Sequence, residues 1–316
     1  MINNLASQKL TKTTHALGTR IVLTVMGETD EKVLDDSIAL IQLYEQQLTV
    51  NAPVSEVMAV NNASGKHAVQ VSPSTFALIK TAVEQSHQHF GFNALIGPLV
   101  KLWKIGFAGA NVPNESDISK RLALSNAANV ILNDADQSVY LTEPGMELDL
   151  GGIAKGYIAD RIRDLWRANG VQAGIINLGG NIEFVGTSPK RDNGQWLVGV
   201  QAPTKARGED LLTVLMPAGS AVTSGTYERV LVKNGHRYHH LLSPETGHPL
   251  QTHVSGVTIF ARDSITCEIE TKRLFFAGKP IPGWGEDRDD IYGAAFVYDD
   301  DTVDLVIVHH RLKLIE

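Results

Sequence analysis

Midway along the chain, Leu148-Asp149-Leu150 runs into Gly151-Gly152 and then Ile153-Ala154-Lys155-Gly156-Tyr157. This stretch constrains the fold more than any other. The glycine pair lets the backbone turn sharply and come close to a neighbour. A helix is predicted from Ile153 to about Ala168, with Ala154, Ile158, Ile162, Leu165 and Trp166 as its buried face. Short strand-like runs follow at Gly174–Leu178, Ile182–Val185, Trp196–Gln201, Leu211–Leu215, Arg229–Val232 and Val254–Phe260. A helix near Asp263–Ala277 comes next, then Ala294–Val297 and Val303–Val308. Helices and strands do not alternate as regular βαβ units, so the pattern favours α+β over a doubly wound sheet.

Upstream, Arg20–Val25 reads as a strand, and Thr29-Asp30-Glu31 opens a helix carrying Val33, Leu34, Ile38, Ile41 and Leu48. Ser72 and Pro73 suit the N-cap and first position of a helix that Gly91 would end. Phe92–Phe107 reads as a partly buried loop with a short helix, Ser116–Ser125 as a short helix, and Asp134-Ala135-Asp136 as the tip of a hairpin. Gly278–Asp290, rich in Pro and Gly and then charged, reads as a surface loop.

The 316 residues are enough for one large domain or two interleaved lobes, and the formal net charge of −7 gives no basic stripe for nucleic acid. The single Cys267 allows neither an internal disulfide nor a cysteine-rich zinc motif. No run reaches the roughly 18–20 apolar residues of a membrane span. Met1–Lys9 lacks an apolar signal core, which points to the cytoplasm.

Five stretches can carry chemistry. The predicted helix start after Gly151-Gly152 suits a phosphate, and Lys155 in its first turn opposes the helix dipole, which suggests an anion nearby; a plain strand–glycine–helix turn with a solvated lysine fits equally. Asn177-Leu178-Gly179-Gly180-Asn181 offers bare backbone or is a hairpin turn. Thr223-Ser224-Gly225-Thr226 can hydrogen-bond a ribityl chain or a phosphate, or simply turn. His236–Pro249 holds His240 as a base or phosphate donor; a histidine metal site is disfavoured because His236 and His240 lie too far apart on an extended strand. Glu268 and Lys272 form an i, i+4 pair, either an ordinary surface ion pair or the mouth of an anion or metal site.

In this order, Gly-Gly-Ile-Ala-Lys-Gly, Asn-Leu-Gly-Gly-Asn, Thr-Ser-Gly-Thr-Tyr-Glu and His-His-Leu-Leu-Ser-Pro-Glu-Thr-Gly-His-Pro closely resemble the ApbE-type FAD:protein FMN transferase family. Phe92–Val100 with Leu102-Trp103, and Leu17-Gly18-Thr19, extend the resemblance over roughly Thr13 to Gly278. It implies a single two-lobed, T-fold-like α+β domain over 1–316, with mixed or antiparallel sheets and flanking helices. It also implies FAD as substrate, Mg²⁺, and transfer of FMN to a Thr or Ser hydroxyl of an acceptor flavoprotein with release of AMP. By the same resemblance His240 and Lys155 are catalytic. Asn93, Ala94, Leu95, Asp149, Lys155, Gly179, Gly180, Asn181, Ser224, Gly225 and Leu242 bind the flavin nucleotide. Gly152, Glu268 and Thr271 hold the metal. Besides Leu17, which replaces a Met, four positions depart from the family pattern. Thr226 replaces Asp or Asn, Ser243 replaces Asp, and Glu268 with Lys272 replaces an Asp and a Thr at the metal. Either Glu268 with Thr271, or Glu270, forms a rearranged metal site, or the Lys272 ammonium takes over much of the metal's charge. Two other functions compete: a divergent FAD-binding protein without transferase activity, and a metal-dependent FAD pyrophosphatase.

Overall fold

The computed structural model describes residues 8–27, 29–201, 203 and 209–315. The reading of Met1–Lys9 falls mostly outside them. The described chain forms two compact units, one from Met1–Glu45, Lys155–Ser224 and His253–Glu316, the other from Gln46–Ala154 and Gly225–Thr252.

The first unit is built on an eight-stranded sheet. Its order is Lys9–Ala16, Thr19–Met26, Ala173–Asn177, Asn181–Gly186, Gly219–Gly225, Val254–Ala261, Ile291–Tyr298 and Val303–Ile307. The first five strands pair antiparallel in succession, as do the last three. Side chains alternate between the two faces. Ala173 and Ile175 face a core shared with Phe184, Phe260 and Ala295. That core is closed by a three-stranded antiparallel sheet of Lys313–Ile315, Asp210–Met216 and Trp196–Gln201. Trp196, Val198 and Val200 point inward while Leu197 is exposed, and the Phe184 and Trp196 rings lie 5.1 Å apart.

Gly174 faces the other way, toward the helices. A Cβ there would come within 2.5 Å of the Trp166 ring, so glycine is what lets this large side chain come so close to the sheet. Trp166 belongs to the Ala154–Ala168 helix and donates from Nε1 to Ser37 Oγ at 2.8 Å, tying that helix to Lys32–Leu48. A third helix, Ser264–Ala277, packs on Val254–Ala261. Asp263 sits at its N-cap without capping it. The cap comes instead from Asp160 of the Ala154–Ala168 helix, whose carboxylate accepts from the Ser264 and Ile265 amides at 2.8 and 3.0 Å. Asp263 turns to buried Arg163, which also holds Asp160 and Glu183 at 2.9 Å each.

The second unit carries the helices Glu56–Asn62, Pro73–Ser86, Gly97–Trp103 and Glu115–Leu122, a three-stranded sheet of Val69–Gln70, Ser138–Leu141 and Val130–Asn133, and the hairpin Val230–Lys233 with His236–His239. Leu99, Trp103, Ile105, Ile118 and Leu242 form a core cluster. Trp103 donates from Nε1 to the Gly247 carbonyl at 2.8 Å. Gly247, at φ 73°, has no room for a side chain against Ile118 and Leu99.

The expectation of an α+β fold with mixed or antiparallel sheets and flanking helices is met. Ser72 caps Pro73–Ser86 as expected, but that helix stops at Ser86, five residues before Gly91. Gly219–Gly225, expected in part as a turn, is an interior strand of the large sheet. Its small side chains are needed there: Ser220 Oγ donates to the Ile182 carbonyl at 2.8 Å, and Cys267 packs on the Ser220 carbonyl. Among the described residues no helix is long and apolar enough to cross a membrane.

Candidate functional site

In the first unit several of the expected residues converge on Glu268. The Ala154–Ala168 helix begins one residue before Lys155, and Gly156 sets how closely it meets Ser264–Ala277. A Cβ on Gly156 would lie 2.6 Å from the Ser264 carbonyl oxygen and 2.8 Å from both Glu268 Cγ and Ile265 Cα. This contact brings the half-buried Lys155 into the field of Glu268. Part of the reason for a lysine at a helix start is therefore an acid on the neighbouring helix.

Glu268 is buried, and so is Lys272, one helical turn on. Lys272 Nζ donates to Glu268 Oε2 at 2.6 Å. Asn181, fully buried, donates from Nδ2 to Glu268 Oε1 at 2.9 Å, and its own Oδ1 accepts from Ser264 Oγ at 3.0 Å. The pair is thus no surface ion pair. Burial alone would raise the Glu268 pKa. The Lys272 and Lys155 charges, with the hydrogen bonds from Lys272 and Asn181, more than offset burial and hold the carboxyl below its usual range.

Thr271 Oγ1 donates to the Glu268 carbonyl at 2.9 Å and accepts from Ser224 Oγ at 2.9 Å. Glu270 points to a different cluster, accepting from Trp284 Nε1 at 2.8 Å, Arg273 Nε at 3.0 Å and Arg288 at 3.0 Å. The expected metal donors Glu268 and Thr271 are therefore committed within the protein, and so is the alternative, Glu270. These side chains do not fit a divalent cation as arranged. The Lys272 ammonium sits on the carboxylate oxygen a metal would use, and charges of +2 and +1 about 4 Å apart repel by roughly 8 kcal/mol at an effective dielectric near 20. Among the described residues no three His, Cys, Asp or Glu side chains are grouped to hold a metal ion.

Gly179 and Gly180 form the turn between Ala173–Asn177 and Asn181–Gly186, at φ 77° and 98°. Both conformations favour glycine. The Asn177 side chain accepts from both amides, at 2.9 and 3.4 Å. A side chain on Gly179 would collide with Thr19, whereas above Gly180 there is open space. The turn thus offers bare backbone that a ligand can approach. Cys267 is buried, and burial first of all raises its thiol pKa well above the usual value, which disfavours the thiolate that a nucleophile needs.

In the second unit the structure joins Asp149 to the 93–95 loop. The Asp149 amide donates to the Ala94 carbonyl at 2.8 Å, and its carboxylate accepts from the Gly151 amide at 2.8 Å. Burial raises the Asp149 pKa, opposed by the Gly151 amide and the Arg229 charge. Asn93 braces the loop by donating to the Ser125 carbonyl at 2.7 Å and accepting from the Leu95 amide at 2.8 Å. Ala94 and Leu95 bury their side chains. Gly152 lies in the turn before the helix, with the Ile153 and Ala154 amides donating to the Leu150 carbonyl. Gly225 ends its strand, and Leu242 packs in the core cluster and bridges to Pro249.

Of the adjacent histidines, His239 is committed. It donates from Nε2 to the Leu250 carbonyl at 2.7 Å and accepts at Nδ1 from the Leu241 amide at 3.2 Å, and burial lowers its pKa. It is held neutral, and the half-buried His240 beside it is the expected base. A hollow of about 380 Å³ lined by Leu102, Asp117, Lys120, Arg121 and Leu124 contains none of these groups. The sequence did not reveal the Asn181 brace or the part of Asp160 in seating the Ser264–Ala277 helix, because both join residues more than 80 positions apart.

An α+β scaffold with a glycine turn and a lysine-bearing helix start defines a class that comparison makes specific. Residues 17–290 match the model of the ApbE family, and the chain belongs to that family. It is 43% identical over 263 residues to a FAD:protein FMN transferase of Klebsiella pneumoniae (strain 342), covering 83% of this chain and 80% of that one. A protein of the same description in Treponema pallidum (strain Nichols) is 35% identical over 257 residues, 78% of this chain and 71% of that one. The crystal structure of the ApbE protein of Thermotoga maritima matches with a TM-score of 0.85 and 27% identity, covering 95% of this chain and 97% of that one.

Proposed function

We propose that this chain is a FAD:protein FMN transferase, moving the FMN half of FAD onto a Thr or Ser hydroxyl of an acceptor flavoprotein and releasing AMP. The observation that carries this reading is the 43% identity to an enzyme of that description across most of both chains. The local chemistry agrees with it: a helix start bearing Lys155, open backbone at Gly180, and a region of Glu268 where the cations outnumber the acid.

In the proposed reaction the acceptor hydroxyl oxygen bonds to the FMN-side phosphorus. The bond from that phosphorus to the bridging oxygen breaks, AMP leaves with the bonding pair, and the hydroxyl proton passes to His240. Histidine is the side chain whose ordinary titration range suits such a base near neutral pH, and it is the residue type at position 240. Negative charge grows on the leaving phosphate, and Lys155, in the first helical turn, is the group proposed to offset it. The Gly179-Gly180 backbone, Asn93, Asp149, Ser224, Gly225 and Leu242 complete the proposed nucleotide contacts, with Asn181 holding Glu268 in place.

The test is incubation of the chain with FAD and a candidate acceptor domain, with and without Mg²⁺, followed by intact mass of the acceptor. A gain equal to FMN on a Thr or Ser, with AMP released in equal amount, is the expected result. AMP and FMN appearing in water without acceptor modification would mean a pyrophosphatase instead. A cytoplasmic acceptor is part of the same proposal, and cell fractionation with detection of flavinylated protein checks it.

A further inference from the structure

Glu268 and Lys272 are buried together, and both carboxylate oxygens are already taken, one by the Lys272 ammonium and one by the Asn181 amide. Lys155 adds a second positive charge on the same acid. The three groups together leave one net positive charge, fixed in place by the helix contact at Gly156 and by the Asn181 brace. An ammonium carries three donors. One of those on Lys272 goes to Glu268, and among the described residues no other acceptor holds this ammonium, which leaves two donors.

We propose that Lys272 is the built-in cation of this site, and that with Lys155 it serves an anionic diphosphate in place of a divalent metal ion. This rests on the reading that FAD is the substrate. The pair lies within one turn of one helix, so the cation is installed when the helix forms and needs no ion from solution. Its charge is smaller than that of a divalent ion, and it supplies donors rather than a coordination shell. A strongly charged, directional donor of this kind contributes to charge stabilisation at a transferring phosphate.

The test has a binding arm and an activity arm. In the binding arm, electron paramagnetic resonance with Mn²⁺ is recorded on the full chain and on Lys272→Thr and Glu268→Gln variants, with far-UV circular dichroism to confirm folding. The parent chain is expected to leave Mn²⁺ free, and Lys272→Thr, which removes the ammonium, to bind it. In the activity arm, flavin transfer by the parent chain is measured after exhaustive treatment with EDTA and is expected to persist. Lys272→Met is expected to lower kcat roughly a hundredfold. Lys272→Thr is expected to lose its metal-free rate and recover part of it with Mg²⁺, a response that a purely structural lysine would not give. The proposal is overturned if the parent chain binds Mn²⁺ in a manner lost in Glu268→Gln. It is equally overturned if EDTA abolishes transfer and Mg²⁺ restores it, or if both Lys272 variants keep the full metal-free rate. If no condition gives flavin transfer, the transferase reading fails, while the Mn²⁺ spectra still decide whether Lys272 excludes the metal.

Discussion

Gly156→Ala is the substitution on which two physical rules give opposite signs. Within a helix, Gly to Ala stabilises by at most about 1 kcal/mol, because alanine loses less backbone freedom on folding. Here the added methyl would lie 2.6 Å from the Ser264 carbonyl oxygen and 2.8 Å from Ile265 Cα, both backbone atoms that cannot rotate aside, as well as 2.8 Å from Glu268 Cγ. Overpacking of a tight contact costs about 1–3 kcal/mol, and with backbone on the receiving side the upper end applies. After the helix gain is subtracted, the variant is expected to be less stable by roughly 2 kcal/mol. At about 2–4 °C per kcal/mol for a protein somewhat smaller than this one, its melting temperature falls by several degrees. The helices must also part, which draws Lys155 away from Glu268, and a misplacement of this size slows flavin transfer roughly tenfold or more. Thermal unfolding followed by circular dichroism gives the first quantity and acceptor mass gain the second. A variant that melts at or above the parent temperature would refute the close-contact reasoning, because propensity would then have won.

Three further outcomes follow from particular contacts. Asn181→Leu leaves Glu268 Oε1 without its buried donor, and urea unfolding is expected to show a loss of about 1–3 kcal/mol. Trp103→Phe removes the hydrogen bond to the Gly247 carbonyl, and the same measurement is expected to fall by about 1 kcal/mol beyond the change in packing. The third concerns pH. Burial first of all raises the Asp160 pKa from 3.8 to about 6, with Arg163 and the Ser264 and Ile265 amides opposing it, and burial likewise raises Glu183 above the usual carboxylate range. The folded state therefore holds more protons than the unfolded one between about pH 4 and 6, so stability falls as pH rises through that window. For Asp160 the loss is at most roughly 3 kcal/mol. Melting temperatures across the window check it, and Glu183→Gln is expected to flatten the slope.

Much of the fold could be read along the chain because its signals are local. Ser72-Pro73 marks a helix start, the Asp134–Asp136 tip joins Val130–Asn133 to Ser138–Leu141, and the face carrying Ile158, Ile162 and Trp166 is buried as its spacing implied. Gly219–Gly225 misled because an interior strand made of small residues has the composition of a turn, and only its neighbours reveal that small is what the position requires. The site was legible as a set of motifs, since glycine turns and helix starts are written in adjacent residues. The state of Glu268 and Lys272 was not. Their spacing fixed the pair, but whether it lay in water or under Asn181 depended on a strand 87 positions away.

The helix bearing Lys272 borrows its cap from the helix bearing Lys155, while its own Asp263 is drawn off to Arg163. A helix end satisfied by its own side chain can slide or tilt and keep its bonds; one satisfied by a neighbour cannot. The two helices are in this sense keyed, and a shift of either along its axis would break two amide bonds and disturb a buried guanidinium at once. The gap between the two lysines is accordingly set by a rigid brace.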